Sequence, residues 1–133
     1  MSDDIVFDKF VPKGWGYERH IVNGPLYCGK ILHFVKGRKC SIHYHEKKTE
    51  TFYVNCGKVE VRWADKKMVE ENIATLGTDY ALKLMALTVL TQGDYFHITP
   101  GMAHQIVAIE NSEIIEFSTT DFDSDSYRIR KGD

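Results

Sequence analysis

Alternation of apolar and polar side chains is the dominant pattern along the chain. It runs through "KILHFV" (30–35), "KCSIHYH" (39–45), "ETFYVN" (50–55), "KVEVRW" (58–63), "LKLMALTVL" (82–90), "DYFHI" (94–98), "HQIVAI" (104–109) and "EIIEFST" (113–119). A period of two is that of a half-buried strand, whose successive side chains face opposite ways. Glycine, proline and polar clusters separate the segments: Gly37, "NCGK", "ADKK", "QGD", "TPGM" and "ENS". Short strands divided by turns predict an all-β domain, built as an antiparallel barrel or a double-sheet sandwich. Only "KMVEENIATLG" (67–77) has helical character, and it is expected to give a turn or two between strands.

A chain of 133 residues suffices for one domain with a sizeable core and not for two. No repeat, low-complexity run or linker divides it. It therefore reads as a single domain over 1–133, with N-terminal strands or arm at 1–29, a barrel core at 30–120 and a tail at 121–133. Charges nearly balance, 17 basic against 19 acidic, and no basic stripe supports nucleic-acid binding. The longest apolar stretch is broken by Lys83 and is too short to span a membrane. The acidic start "MSDDIVFDKF" has no apolar signal core, so a cytoplasmic protein is expected. Cys28, Cys40 and Cys56 are odd in number and lack CxxC spacing, as free structural thiols in a reducing compartment would.

One stretch carries chemistry: "HYHEKKTE" (43–50). On a strand Ser41, His43 and His45 share a face, and after the turn Glu50, Phe52 and Val54 share another. Two histidines at i and i+2 converge on one point, and a glutamate across a hairpin faces it. The wider spacing, from Gly37 through His43, His45 and Glu50 to Gly57, reads G-x5-H-x-H-x4-E-x6-G. It resembles the first motif of the cupin superfamily. "GDYFHITPGMAHQIVA" places Gly93, Gly101 and His104 at the mutual spacing of the second motif. Pro100 comes one place late there, and Ala108 stands where the final Asn is expected; neither is a ligand position.

The resemblance implies a cupin-type double-stranded β-helix, a jelly-roll barrel, with His43, His45, Glu50 and His104 as ligands of one divalent metal. Three imidazoles and a carboxylate suit Mn, Fe, Co, Ni or Zn rather than Ca or Mg. Four protein ligands around an octahedral ion leave two positions open, the mark of a catalytic site. "PKGWGYERHIVNGPLYCGKIL" further resembles the type II mannose-6-phosphate isomerase cupin domain, through Trp15, Gly16, Tyr17 and Glu18. The tail "IIEFSTTDFDSDSYRIRKGD", an Asp-rich turn leading to Arg128, resembles the tail of that family. The His-to-Glu gap of four departs from the three usual there. This likeness implies a sugar or sugar-phosphate isomerase or epimerase. The same ligand set also fits an Fe(II) dioxygenase, and the fold also serves non-catalytic sugar-binding proteins. Cupins of this size imply a homodimer, with the apolar N-terminal segment packed on the second subunit.

Further residues follow from their positions. His33 on "KILHFV" and His97 before the second turn are the candidate proton-transfer groups, and His20 is expected at the surface. A phosphate needs a cation, for which Lys30 and Arg128 are the candidates. Trp15, Tyr17, Phe52, Tyr53, Trp63 and Tyr95 are expected mostly in the core.

Overall fold

The computed structural model describes residues 5–133. The described strands form two antiparallel sheets packed face to face around a shared apolar core. The first sheet holds, in spatial order, β1 (Val6–Lys13), β2 (Gly16–Asn23), β3 (Cys28–Phe34), β10 (Ser112–Ser118), β5 (Glu50–Cys56) and β8 (Tyr95–Ile98). The second holds β11 (Tyr127–Arg130), β4 (Ile42–Tyr44), β9 (Met102–Ala108), β6 (Lys58–Asp65) and β7 (Ala86–Thr91).

The inward rows of the strands explain where a site can form. On β3 the buried positions are Lys30, Leu32 and Phe34; on β5 they are Glu50, Phe52 and Val54; on β10 they are Glu116, Ile114 and Ser112. The register sets Glu116 beside Lys30 and Phe52, and Ile114 beside Leu32 and Val54. Each row thus begins at a charge and continues into apolar groups, with Ser112 closing the β10 row. One end of the barrel is filled by Phe34, Val54, Val59, Val61 and Ile114, and the other end is left polar. Trp15 stacks on Phe34, ring centroids 4.0 Å apart, and seals the filled end as a core residue.

Two tight connections need glycine. Gly57, between β5 and β6, has φ of +94°, and a Cβ there would strike the Asn111 carbonyl and Ser112. Gly16, with φ of +149°, lies so close to the His33 carbonyl that no side chain fits.

The helical segment is longer than the sequence pattern predicts. It forms α1 (Lys66–Leu76) and α2 (Thr78–Lys83), so the first part of "LKLMALTVL" is helix and turn rather than strand. The Asp65 carboxylate caps α1 by accepting the Lys67 N–H at 2.8 Å. Val69, Ala103, Ile42, Ala64 and Met85 build a second small core, with Ile73 and Leu82 against it, on the outer side of the second sheet. The spacing of Val69, Ile73, Leu82 and Met85 serves that core. Alternation and three-to-four spacing coexist in this segment, and packing on the second core selects the helix.

Candidate metal centre

Three histidines meet at the polar end of the barrel. His43 lies on β4 with His45 just beyond it, and His104 on β9 is the cross-strand neighbour of His43. One nitrogen from each ring lies within 4.8 Å of the other two. The opposite ring nitrogens are all anchored to backbone. His43 Nδ1 lies 3.1 Å from the Ser41 carbonyl, His45 Nδ1 2.8 Å from that of Asp125, and His104 Nδ1 3.0 Å from that of Met102. A carbonyl can only accept, so each Nδ1 carries a proton, and in the neutral ring Nε2 is left with its lone pair. Such partners orient metal-binding histidines.

The donor set fits a divalent transition metal. Nε2 of His45 and of His104 is buried without an aligned hydrogen-bond partner among the described residues, a costly arrangement unless something takes the lone pair. Burial pushes the His43 imidazole down to about 3, and the neighbouring His104 and His45 add to it. The ring is therefore neutral, the form a metal requires.

Glu50 stands beside this trio rather than within it. Its Oε1 lies 3.0 Å from His104 Nε2 and 3.9 Å from His45 Nε2, while Oε2 lies 2.9 Å from Lys48 Nζ. Burial alone would raise this carboxyl. The His104 contact and the Lys48 ammonium outweigh it and hold Glu50 well below the usual carboxylate range.

Lys48 was not foreseen from the sequence, because "EKKT" has the look of a solvated turn. The residue is only 3% exposed, and its ammonium sits 2.9 Å from Glu50, 3.0 Å from Glu116 and 3.0 Å from Asp121. Lys30 continues the chain of charges at 2.8 Å from Asp121 and 3.7 Å from Glu18, and Glu18 meets His20 Nε2 at 2.7 Å. Both lysines are raised above their ordinary range. Burial opposes this, but the facing carboxylates prevail. Glu116 is raised by burial and by repulsion from Glu50.

Asp125 holds the loop in place. Its carboxylate accepts the backbone N–H groups of Glu46, Lys47 and Lys48 at 2.9, 3.1 and 3.0 Å, and its carbonyl anchors His45. The Asp-rich tail, noted in the sequence only as a resemblance, thus supplies both a counterion, Asp121, and this anchor.

A cavity of about 470 Å³ joins these groups. His33 and His97 do not reach it. His33 follows the inward Leu32, so its ring faces out and stacks on Tyr17 at 5.0 Å. His97 is exposed beside inward Phe96 and Ile98, and meets Thr51 Oγ1 at 2.7 Å. The expectation that either moves a proton in the barrel is therefore corrected, and so is that of a surface His20. In "GYERHIVN" Glu18 and His20 share the inward face, a period-two signal that was there to be read. Lys30 and Arg128 both line the cavity, but differently. Lys30 is buried and matched by Asp121, whereas Arg128 is exposed, opposite His43 in the register of β11 and β4. Cys40 also lines it; burial pushes the thiol up to about 12, which removes it as a nucleophile at neutral pH.

An antiparallel double sheet with histidines clustered at its polar end defines a class of barrel proteins, and the sequence agrees. A family model described as "Cupin" matches residues 31–129. The chain belongs to the cupin family. Among solved structures, it is similar to KdgF from Halomonas sp., at 19% identity over 87% of this chain and 91% of that one, with a TM-score of 0.66. The capsular polysaccharide assembling protein CapF from Staphylococcus aureus matches 92% of this chain at 17% identity and a TM-score of 0.70. A variant of oxalate decarboxylase from Bacillus subtilis matches 97% at 16% identity and a TM-score of 0.72. The chain spans only 34% and 33% of the latter two, and likeness at this level shows the fold. Comparison with curated proteins found no match. No helix among the described residues is long and apolar enough to cross a membrane.

Proposed function

We propose that the protein is a metal-dependent cupin that acts on a small sugar or sugar phosphate, as an aldose–ketose isomerase or epimerase in a reducing compartment such as the cytoplasm. The observation that carries this reading is the set of three backbone-anchored imidazoles that meet on the wall of one cavity. A divalent Mn, Fe, Co, Ni or Zn ion held by His43, His45 and His104, with Glu50 as fourth ligand, would polarise substrate carbonyl and hydroxyl oxygens. The walls supply hydrogen-bonding groups for a polyol. A proton-transfer group must reach the substrate, and on the cavity wall the candidate is His20, paired with Glu18.

The charge balance assigns the two ends of the cavity different tasks. Lys30 and Lys48 face Glu18, Glu50, Glu116 and Asp121, two cations against four carboxyl groups, so an anionic substrate end is disfavoured in the interior. Arg128 at the mouth suits a phosphate better than Lys30 does. Metal-loaded protein incubated in deuterated water with hexose and pentose phosphates tests the reading. Deuterium is expected at C1 or C2 of one of them, and His20→Asn should slow its incorporation at unchanged metal content. Oxygen uptake in its place moves the protein to the dioxygenases, and a ligand that stabilises the protein without turnover makes it a binding cupin.

The outer face of the first sheet is proposed as the homodimer surface. There Phe10, Ile21 and Phe117 are 60%, 42% and 56% exposed, on an edge hairpin and its neighbours. Sedimentation at micromolar concentration should find a dimer, and Phe10→Asp should shift it to monomer. A wild-type monomer refutes the surface.

A further inference from the structure

A second cavity, of about 220 Å³, lies on the opposite side of the second sheet from the histidines, between the outward side chains of β9 and β6 and helix α2. Its walls carry Lys39, Arg62, Lys83, Arg130 and Lys131 against one acid, Asp79. Asp79 is already committed to Arg130 at 2.6 Å, and Glu60 approaches Arg62 Nη2 only to 3.8 Å. The cavity wall therefore carries a clear excess of positive charge.

Two buried polar atoms give it direction. Gln105 is 2% exposed, and its Nε2 donates to the Cys40 carbonyl at 2.8 Å, which fixes the amide and leaves Oε1 as an acceptor. Arg62 is the cross-strand neighbour of Gln105, and its Nε offers an N–H. Neither Gln105 Oε1 nor Arg62 Nε has a hydrogen-bond partner among the described residues. A buried donor and a buried acceptor side by side, ringed by cations, define a specific complement. The occupant must accept from Arg62, donate to Gln105 and carry negative charge.

We propose that this cavity binds inorganic phosphate as hydrogen phosphate, which keeps one O–H at neutral pH. Its oxygens accept from Arg62 and face the lysines, and its one O–H donates to Gln105 Oε1. Sulfate has the same shape and charge but no proton at neutral pH, and it would set a lone pair against Gln105. The site is independent of the metal centre, from which the β-sheet separates it.

The test follows the Arg62 Nε–H and the Gln105 side-chain amide in 1H–15N spectra of the full chain, at constant ionic strength. Inorganic phosphate is expected to move both signals saturably, with sulfate at least about tenfold weaker, since one charged hydrogen bond is exchanged for a repulsion. Gln105→Leu, read at Arg62, and Arg62→Met, read at Gln105, should each weaken phosphate by about tenfold or more. His43→Ala should leave it unchanged. Arg62 is half-buried, so Arg62→Met remains decisive if Gln105→Leu does not fold. Glycerol phosphate, which loses its second proton at about pH 6, is expected to bind as weakly as sulfate, and binding comparable to phosphate would overturn the role of the O–H. Signals that ignore phosphate, an equal response to sulfate, or unaltered binding in Arg62→Met would each overturn the proposal, leaving a bridging water as the partner of both atoms.

Discussion

Replacing Lys48 by methionine is expected to lower stability by about 3–5 kcal/mol, as removal of one partner from a buried ion pair does. Lys48 is 3% exposed, and its ammonium touches three carboxylates, Glu50, Glu116 and Asp121, at 2.9–3.0 Å. Solvent screening is therefore small, and methionine keeps the volume while leaving the carboxylates to repel one another. For a domain of this size the loss corresponds to a fall in Tm of roughly 10 °C or more. Lys47→Met, next door but exposed, is the control and should stay within about 0.5 kcal/mol of wild type. Adding Glu116→Gln to Lys48→Met should recover part of the loss, because Glu116 is the carboxyl that burial and Glu50 already push towards protonation. Urea midpoints of these variants decide the matter, and Lys48→Met matching Lys47→Met would remove the network from the account of stability.

That network also marks the limit of what could be read from the chain. Strands β5, β6, β8, β9 and β10 lie where alternation predicts them, since each has one apolar face to bury. His43, His45 and His104 come together as their spacing implies, because i and i+2 on a strand and a cross-strand partner are set by pleat and register. Lys48 has no such local signature. A lysine in a polar turn is ordinarily solvated, and only the approach of Glu116 from β10 and Asp121 from the tail makes its burial favourable. Asp125 is similar: its three backbone N–H partners lie about eighty positions earlier, and no periodicity encodes them. His33 and His97 failed for the opposite reason. Their own strands show which parity faces in, and Leu32 and Ile98 already occupied it. α2 was lost because a short segment can satisfy both periods, and packing on Val69 chose the helical one.

The metal is central to the proposed function, and the removal of one ligand carries the largest functional effect. His104 is 1% exposed, its Nδ1 is tied to the Met102 carbonyl, and its Nε2 lies nearest to Glu50. His104→Ala deletes a ligand from the middle of a β-strand without touching the backbone ladder, so a folded barrel with an impaired site is expected. Loss of an outer partner of a ligand typically costs 10–100-fold in affinity, and loss of the ligand itself should exceed about 100-fold. His97→Ala removes an exposed imidazole outside the cavity and serves as the control for adventitious binding. Elemental analysis of purified, dialysed protein is the direct measurement. About one divalent transition metal per chain is expected in wild type and in His97→Ala, and almost none in His104→Ala, consistent with the three-imidazole site. Undiminished metal in a folded His104→Ala protein would contradict it.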